Sequence, residues 1–182
     1  RRKYLSRRRK LQLIIFTNLN ILSSFSESLS IALTLPLISV LIDPNQIWGG
    51  GNSAGGVLFL HAAHVGSTEE FTLPLDDNRA SIANNIIESI GGFEGSSGNE
   101  GYSSELSGVI SLAGALHRSE YLDSNDVPSV FCHGDEDSVV PYDCNGFQNN
   151  PSFDQLCGGG ALYPDAISMG INTDLLTFPN AK

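Results

Sequence analysis

Beyond its tenth residue the sequence has almost no positive charge. Arg79, Arg118 and Lys182 are the only bases there, set against all twenty acidic residues of the chain. So acidic a stretch repels phosphate backbones, which argues against a nucleic-acid partner for residues 11–182. Charged residues are scarce altogether, at 16%, which fits neither a coiled coil nor a charge-rich disordered chain. The chain has no G-x-x-x-x-G-K-[ST] loop, so the phosphate cradle of an ATP-driven engine is missing. It has no internal repeat, and only three cysteines. Cys132 lies in the apolar run VPSVFC and is expected as a buried free thiol. Cys144 and Cys157 bracket twelve residues, either as a disulfide of an oxidising compartment or as two unpaired loop thiols.

What is present divides in two. The first ten residues, RRKYLSRRRK, hold seven of the ten bases and no acid. Residues 11–42, LQLIIFTNLNILSSFSESLSIALTLPLISVLI, are largely apolar and long enough to cross a bilayer as one helix. The bases before them suit a cytoplasmic start or anionic headgroups, so membrane contact is expected through residues 1–42. A soluble amphipathic helix followed by a buried one is the alternative. Residues 4–48 resemble the first transmembrane helix of bacterial ABC exporter subunits, with a basic start, a Ser-rich middle containing Glu27 and a Leu-Pro turn at Pro36.

From Gly49 the texture changes, so the expected organisation is an N-terminal segment 1–48 and a second unit 49–182. Residues 54–65 and 81–90 have helical patterns, and residues 161–170 form a third helix that Gly170 can cap. Residues 66–79 read as a polar surface loop, and 91–104 as a Gly/Ser-rich one. Short apolar runs at 106–114, 127–134 and 172–179 read as strands. Alternating strands and helices predict a parallel sheet with crossover helices.

The stretch GGGNSAGGVLF (49–59) places Gly51 and Gly55 around Ser53 at G-x-S-x-G spacing, with a small-residue helix after it. On a tight strand-to-helix turn, such a serine presents its hydroxyl, and the N–H of the next residue, Ala54, points at the oxyanion. A serine hydroxyl needs a base, and the base needs an acid. HGDEDSVVPY (133–142) offers three acids after a strand.

GGNSAGG, GGFEGSSGNEGYSS, VISLAGAL and VPSVFCHGDEDSVVPY, in that order, resemble a secreted bacterial esterase or lipase of the α/β-hydrolase fold. The resemblance implies an incomplete α/β-hydrolase-type parallel sheet behind an N-terminal apolar helix, in a secreted or periplasmic protein. It implies hydrolysis of a small-molecule or lipid ester through an acyl-enzyme, with Ser53 as nucleophile, Ala54 as oxyanion donor and Asp137 as acid. Asp135 and Glu136 become loop neighbours, and His133 shapes the turn. No cofactor or metal is implied.

The family's histidine follows the last strand, which places it just beyond Lys182. His61 and His64, three apart on one helix face, are expected in packing rather than on a metal. His117 is a weak candidate for a replacement base. The strand feeding the elbow must be drawn from LISVLIDPNQIW, where Asp43-Pro44 breaks strands. A sheet without its first strands leaves an open edge and an uncovered face, so little esterase activity is expected from these 182 residues. Phe71, Phe93 and Tyr102 are candidates for an acyl rim. The alternatives are an exporter's membrane segment or a hydrolase-like module that binds without catalysis.

Overall fold

The computed structural model describes residues 11–17, 42–73, 75–93, 95 and 103–182. Five strands form a parallel sheet in the order β1 (Leu11–Thr17), β2 (Ile42–Asn52), β3 (Gly108–Leu112), β5 (Ser129–Gly134) and β8 (Thr173–Phe178). A small antiparallel sheet joins β4 (Ala115–Leu116), β7 (Gln155–Gly158) and β6 (Cys144–Gly146). Among the described residues the α-helices are α1 (Ala54–His64), α2 (Thr68–Thr72), α3 (Asp77–Ser89) and α4 (Gly159–Met169).

Strand order in the main sheet follows chain order, so every crossover steps the same way. Right-handed crossovers then fall on one face, and α1 and α4 both pack there, α1 on β2 and β3, α4 on β5 and β8. Val109, Phe131, Leu60, Leu116 and Leu162 make the dry centre of that layer. Along β5 burial alternates: Ser129, Phe131 and His133 are buried, while Val130 and Cys132 are only half-buried on the other face. The same face of β8 leaves Leu176 and Phe178 about half exposed, at 54% and 46%. Cys132 therefore departs from the buried thiol expected of it, although burial still pushes its pKa up. Cys144 and Cys157 are bridged across adjacent positions of β6 and β7.

Leu11–Thr17 is a strand, not the start of an apolar helix. It pairs in parallel with β2 from Leu13↔Ile47 to Thr17↔Gly51. A short apolar run that pairs into a parallel sheet has the composition of a membrane segment, and only its pairing distinguishes the two. The rest of the expected helix, residues 18–41, lies outside the described residues, as do residues 1–10. Among the described residues no helix is long and apolar enough to cross a membrane. β2 runs unbroken across positions 48 and 49, where the texture of the sequence changes. Its Asp43-Pro44 is absorbed by an irregularity: the partner of β1 jumps from Ile42 to Ile47 between Leu11 and Leu13. Inside that bulge Asn45 N donates to Asp43 Oδ1 at 3.2 Å, a local turn that needs no ladder donor from Pro44.

Residues 66–79 are not the single loop expected. Ser67 caps α2 by accepting from Glu70 N at 3.1 Å, and Glu70 Oε2 reaches back to Gly66 N at 2.8 Å. Asp76 Oδ1 caps α3 through the amides of Asn78 and Arg79. The polar and acidic residues that suggested a solvated loop are helix start signals. At the other end of the chain α4 ends as expected, with Gly170 left-handed at φ 81°.

Candidate active site

Ser53 sits at the carboxyl end of β2, on the turn into α1, with φ 55° and ψ −124°. Its N–H donates to Leu112 O at 2.8 Å, which ties the turn to the end of β3. Close backbone approach explains the glycines. A Cβ on Gly51 would meet Gly55 Cα at 2.9 Å and that residue's carbonyl group closer still, and one on Gly56 would lie 3.0 Å from Gly114 Cα. Ser53 is also the N-cap of α1, a position where serine ordinarily accepts a bond from the first turn. Here its side chain makes no capping bond. The first bond of the helix runs from Val57 N to Ser53 O at 3.0 Å. The Ala54 N–H opens the helix without an intrahelical partner, at its positive end.

A left-handed serine stores about 1–3 kcal/mol of strain. Ser53→Gly is therefore expected to raise stability by roughly 1 kcal/mol, after the added freedom of glycine in the unfolded chain is set against the relief. Urea denaturation reads this as a higher midpoint at unchanged slope. A lower midpoint would show that the turn is not strained.

The acid loop follows β5. Asp137 Oδ1 accepts from Val139 N at 2.8 Å and Val140 N at 3.0 Å, and its side chain is 12% exposed. Asp135 is committed differently, since its Oδ1 accepts from Asn180 N at 2.7 Å. Glu136 N donates to Ala181 O at 3.0 Å and Asp135 N to Phe178 O at 3.3 Å. The segment after β8 is thus held against the acid loop. Because β2, β3, β5 and β8 are parallel neighbours, Ser53, Asp137 and the end of β8 share one edge of the sheet. The backbones that carry Ser53 and Asp137 stand two strand spacings apart, about 10 Å.

All four histidines are described, and none of the hydrogen bonds that follow is to Ser53 or to the Asp137 carboxylate. His133 is buried, with Nδ1 accepting from Gly159 N at 3.2 Å and Nε2 donating to Val140 O at 3.0 Å. His61 donates from Nδ1 to Val57 O at 2.8 Å and accepts at Nε2 from His117 N at 3.2 Å. That contact lies eight residues along α1 from Ser53, about 12 Å of helical rise. The charged neighbours acting on His117 are Asp154, Arg118 and Arg79, not the acid loop.

His64 does not pair with His61. It is fully buried at the end of α1, with Nε2 2.8 Å from Ser129 Oγ and Nδ1 3.1 Å from Asp126 Oδ2, the latter outside hydrogen-bond geometry. This Ser129–His64–Asp126 row lies at the amino end of β5, across the sheet from Ser53. Ser129 is 1% exposed, so no substrate reaches it. Nothing local in the sequence links positions 64, 126 and 129. Of the rim candidates, Phe71 packs against the core and its carbonyl accepts from Tyr121 Oη. Phe93 is exposed, and Tyr102 lies outside the described residues.

Burial, the largest effect, holds His61 and His117 below the ordinary imidazole pKa of 6.5. Near that pH the unfolded chain takes up protons that the folded chain refuses, so these groups remove stability as pH falls below about 6.5. The melting temperature of the protein is expected to drop more between pH 7.5 and 5.5 than that of His61→Gln. The glutamine keeps an acceptor for the His117 amide and cannot be protonated. Identical slopes would clear His61 of any part.

No protein-family model matches the sequence, and the search of curated proteins found no match. Among solved structures, the chain is similar to a truncated form of a carbohydrate esterase from gut microbiota, 18% identical, covering 79% of this chain and 54% of that one, with a TM-score of 0.49. It is similar to apo esterase 2 of Thermogutta terrifontis, 14% identical, covering 80% of this chain and 48% of that one, also at 0.49. It is similar to esterase PE8, 16% identical, covering 87% and 53%, at 0.43. The chain spans about half the length of each of these structures.

Proposed function

We propose that these residues form the nucleophile and acid of a serine ester hydrolase that acts on a small-molecule or lipid ester. The observation that carries this reading is Ser53 itself: a serine on a left-handed strand-to-helix turn, at an N-cap it does not use. Its hydroxyl makes no capping bond to the first turn of the helix.

In the proposed reaction Ser53 Oγ attacks the ester carbonyl as an imidazole removes its proton. Negative charge builds on the carbonyl oxygen beside the Ala54 N–H and the positive end of α1. The alcohol leaves with the proton, an acyl group stays on Ser53, and water then releases it by the same route. Asp137 orients the imidazole through Oδ2, because Oδ1 is already held by two amides. The mechanism calls for no cofactor. The bridge between Cys144 and Cys157 supports an oxidising, secreted or periplasmic setting.

The partners of His61, His64, His117 and His133 favour a second reading, a hydrolase-like module that binds without turnover. The two readings separate when free imidazole is supplied to the protein with a p-nitrophenyl ester. A Ser53-dependent gain in hydrolysis supports the enzyme; its absence supports the binding module.

A further inference from the structure

We infer that His133 is a positioning residue, a neutral latch that ties the start of α4 to the acid loop and so sets where Asp137 stands. The inference rests on the reading of Asp137 as the acid, but its geometry does not. A backbone amide can only donate and a carbonyl can only accept. Gly159 N faces Nδ1 at 3.2 Å, so Nδ1 carries a lone pair; Val140 O faces Nε2 at 3.0 Å, so Nε2 carries the proton. The partners leave one tautomer, and they sit on different elements. Gly159 begins α4, and Val140 is the residue whose own amide binds Asp137 Oδ1. The same Nε2 lies 3.6 Å from Asp137 Oδ2, too long for a hydrogen bond.

The surroundings lock this ring. His133 is 2% exposed, and Tyr142 stands edge-on to it at 5.6 Å between ring centres. Tyr142 in turn pairs its hydroxyl with Thr177 Oγ1 of β8 at 2.7 Å, and its carbonyl accepts from Gly160 N at 2.9 Å. A Cβ on Gly158 would strike His133 Cε1 at 2.8 Å. Gly158, the first of three consecutive glycines at the entry to α4, therefore allows the backbone to come close enough for the Gly159 amide to reach the ring. The acid loop takes its shape from an imidazole that belongs to the strand before it and reads the helix after it.

The test uses the full chain and amide hydrogen exchange, with the ring-nitrogen spectrum of His133 as a second measurement. The spectrum is expected to show a single Nε2–H tautomer; an Nδ1–H form, or an averaged pair, overturns the latch. In His133→Asn the side-chain oxygen can replace Nδ1, so Gly159 is expected to keep its protection. Val139 and Val140 are expected to exchange about tenfold faster, the scale of one lost hydrogen bond. His133→Gln, whose amide reaches the place of Nε2, is expected to reverse the pattern. Unchanged protection of Val139 and Val140 in His133→Asn sinks the proposal. Where a variant loosens the whole sheet, seen as faster exchange at Ile110 of β3, the tautomer of the unmodified protein decides. None of these readouts needs ester hydrolysis. The latch can stand where the enzyme reading fails, or fail where that reading stands.

Discussion

Free imidazole is expected to raise Ser53-dependent hydrolysis of p-nitrophenyl acetate by at least about tenfold, short of the roughly 10²–10⁴-fold of a base held in place by the protein. Without it, turnover by these 182 residues is expected to be slow, since His61, His64 and His117 have partners away from the sheet edge that holds Ser53 and Asp137, and both ring nitrogens of His133 are engaged by Gly159 N and Val140 O. On the proposed reading the imidazole would act between a hydroxyl that makes no bond to its helix and a carboxylate whose Oδ2 takes no backbone amide. Ser53→Ala is expected to reduce the rate to that of imidazole in buffer. Asp137→Asn is expected to lose most of the gain, because an amide presents the wrong hydrogen-bonding partner to the ring. A gain equal in the protein and in Ser53→Ala would end the enzyme reading.

Gly51→Ala is expected to destabilise the fold by about 3 kcal/mol or more. The added carbon would fall on the Gly55 backbone, with Cα at 2.9 Å and the carbonyl group nearer. Both sides of that clash are main chain, one in β2 and one in the first turn of α1, so neither can swing away as a flexible side chain would. Separating them would also stretch the Ser53 N bond to Leu112 O. Gly66→Ala provides the contrast. Its nearest neighbour is the end of the Glu70 side chain at 3.6 Å and its φ is not positive, so a change within about 0.5 kcal/mol is expected. Urea denaturation of the two variants measures the difference. Equal midpoints would mean that Gly51 and Gly55 are not tightly packed at the turn.

Ser53 was legible because everything that defines its turn lies within five residues. The two glycines, the serine between them and the small helix after it are local demands of sterics, and chain neighbours carry them wherever the segment goes. Asp137 was singled out by the resemblance of HGDEDSVVPY to a hydrolase acid loop; that its carboxylate closes a turn on the amides two and three residues ahead is visible only in the structure. The capping residues Ser67 and Asp76 carried a local signal too, but their acidity read as solvated loop, and composition obscured a hydrogen-bond pattern.

Other features had no local signature. Leu11–Thr17 is a strand because β2 lies beside it, and an apolar run of seven residues does not reveal its partner. His64 finds Ser129 sixty-five residues away, and His61 meets the His117 amide across fifty-six. The bridge from Cys144 to Cys157 required β6 and β7 to pair in one register. The sequence by itself determined where the chain must turn at Ser53 and where Gly170 ends its helix, because those depend on the volumes and backbone preferences of adjacent residues. Only the tertiary structure decided which histidine serves which partner and which apolar run becomes a strand. Those outcomes depend on distances between segments far apart in the chain, which exist only once the sheet has formed.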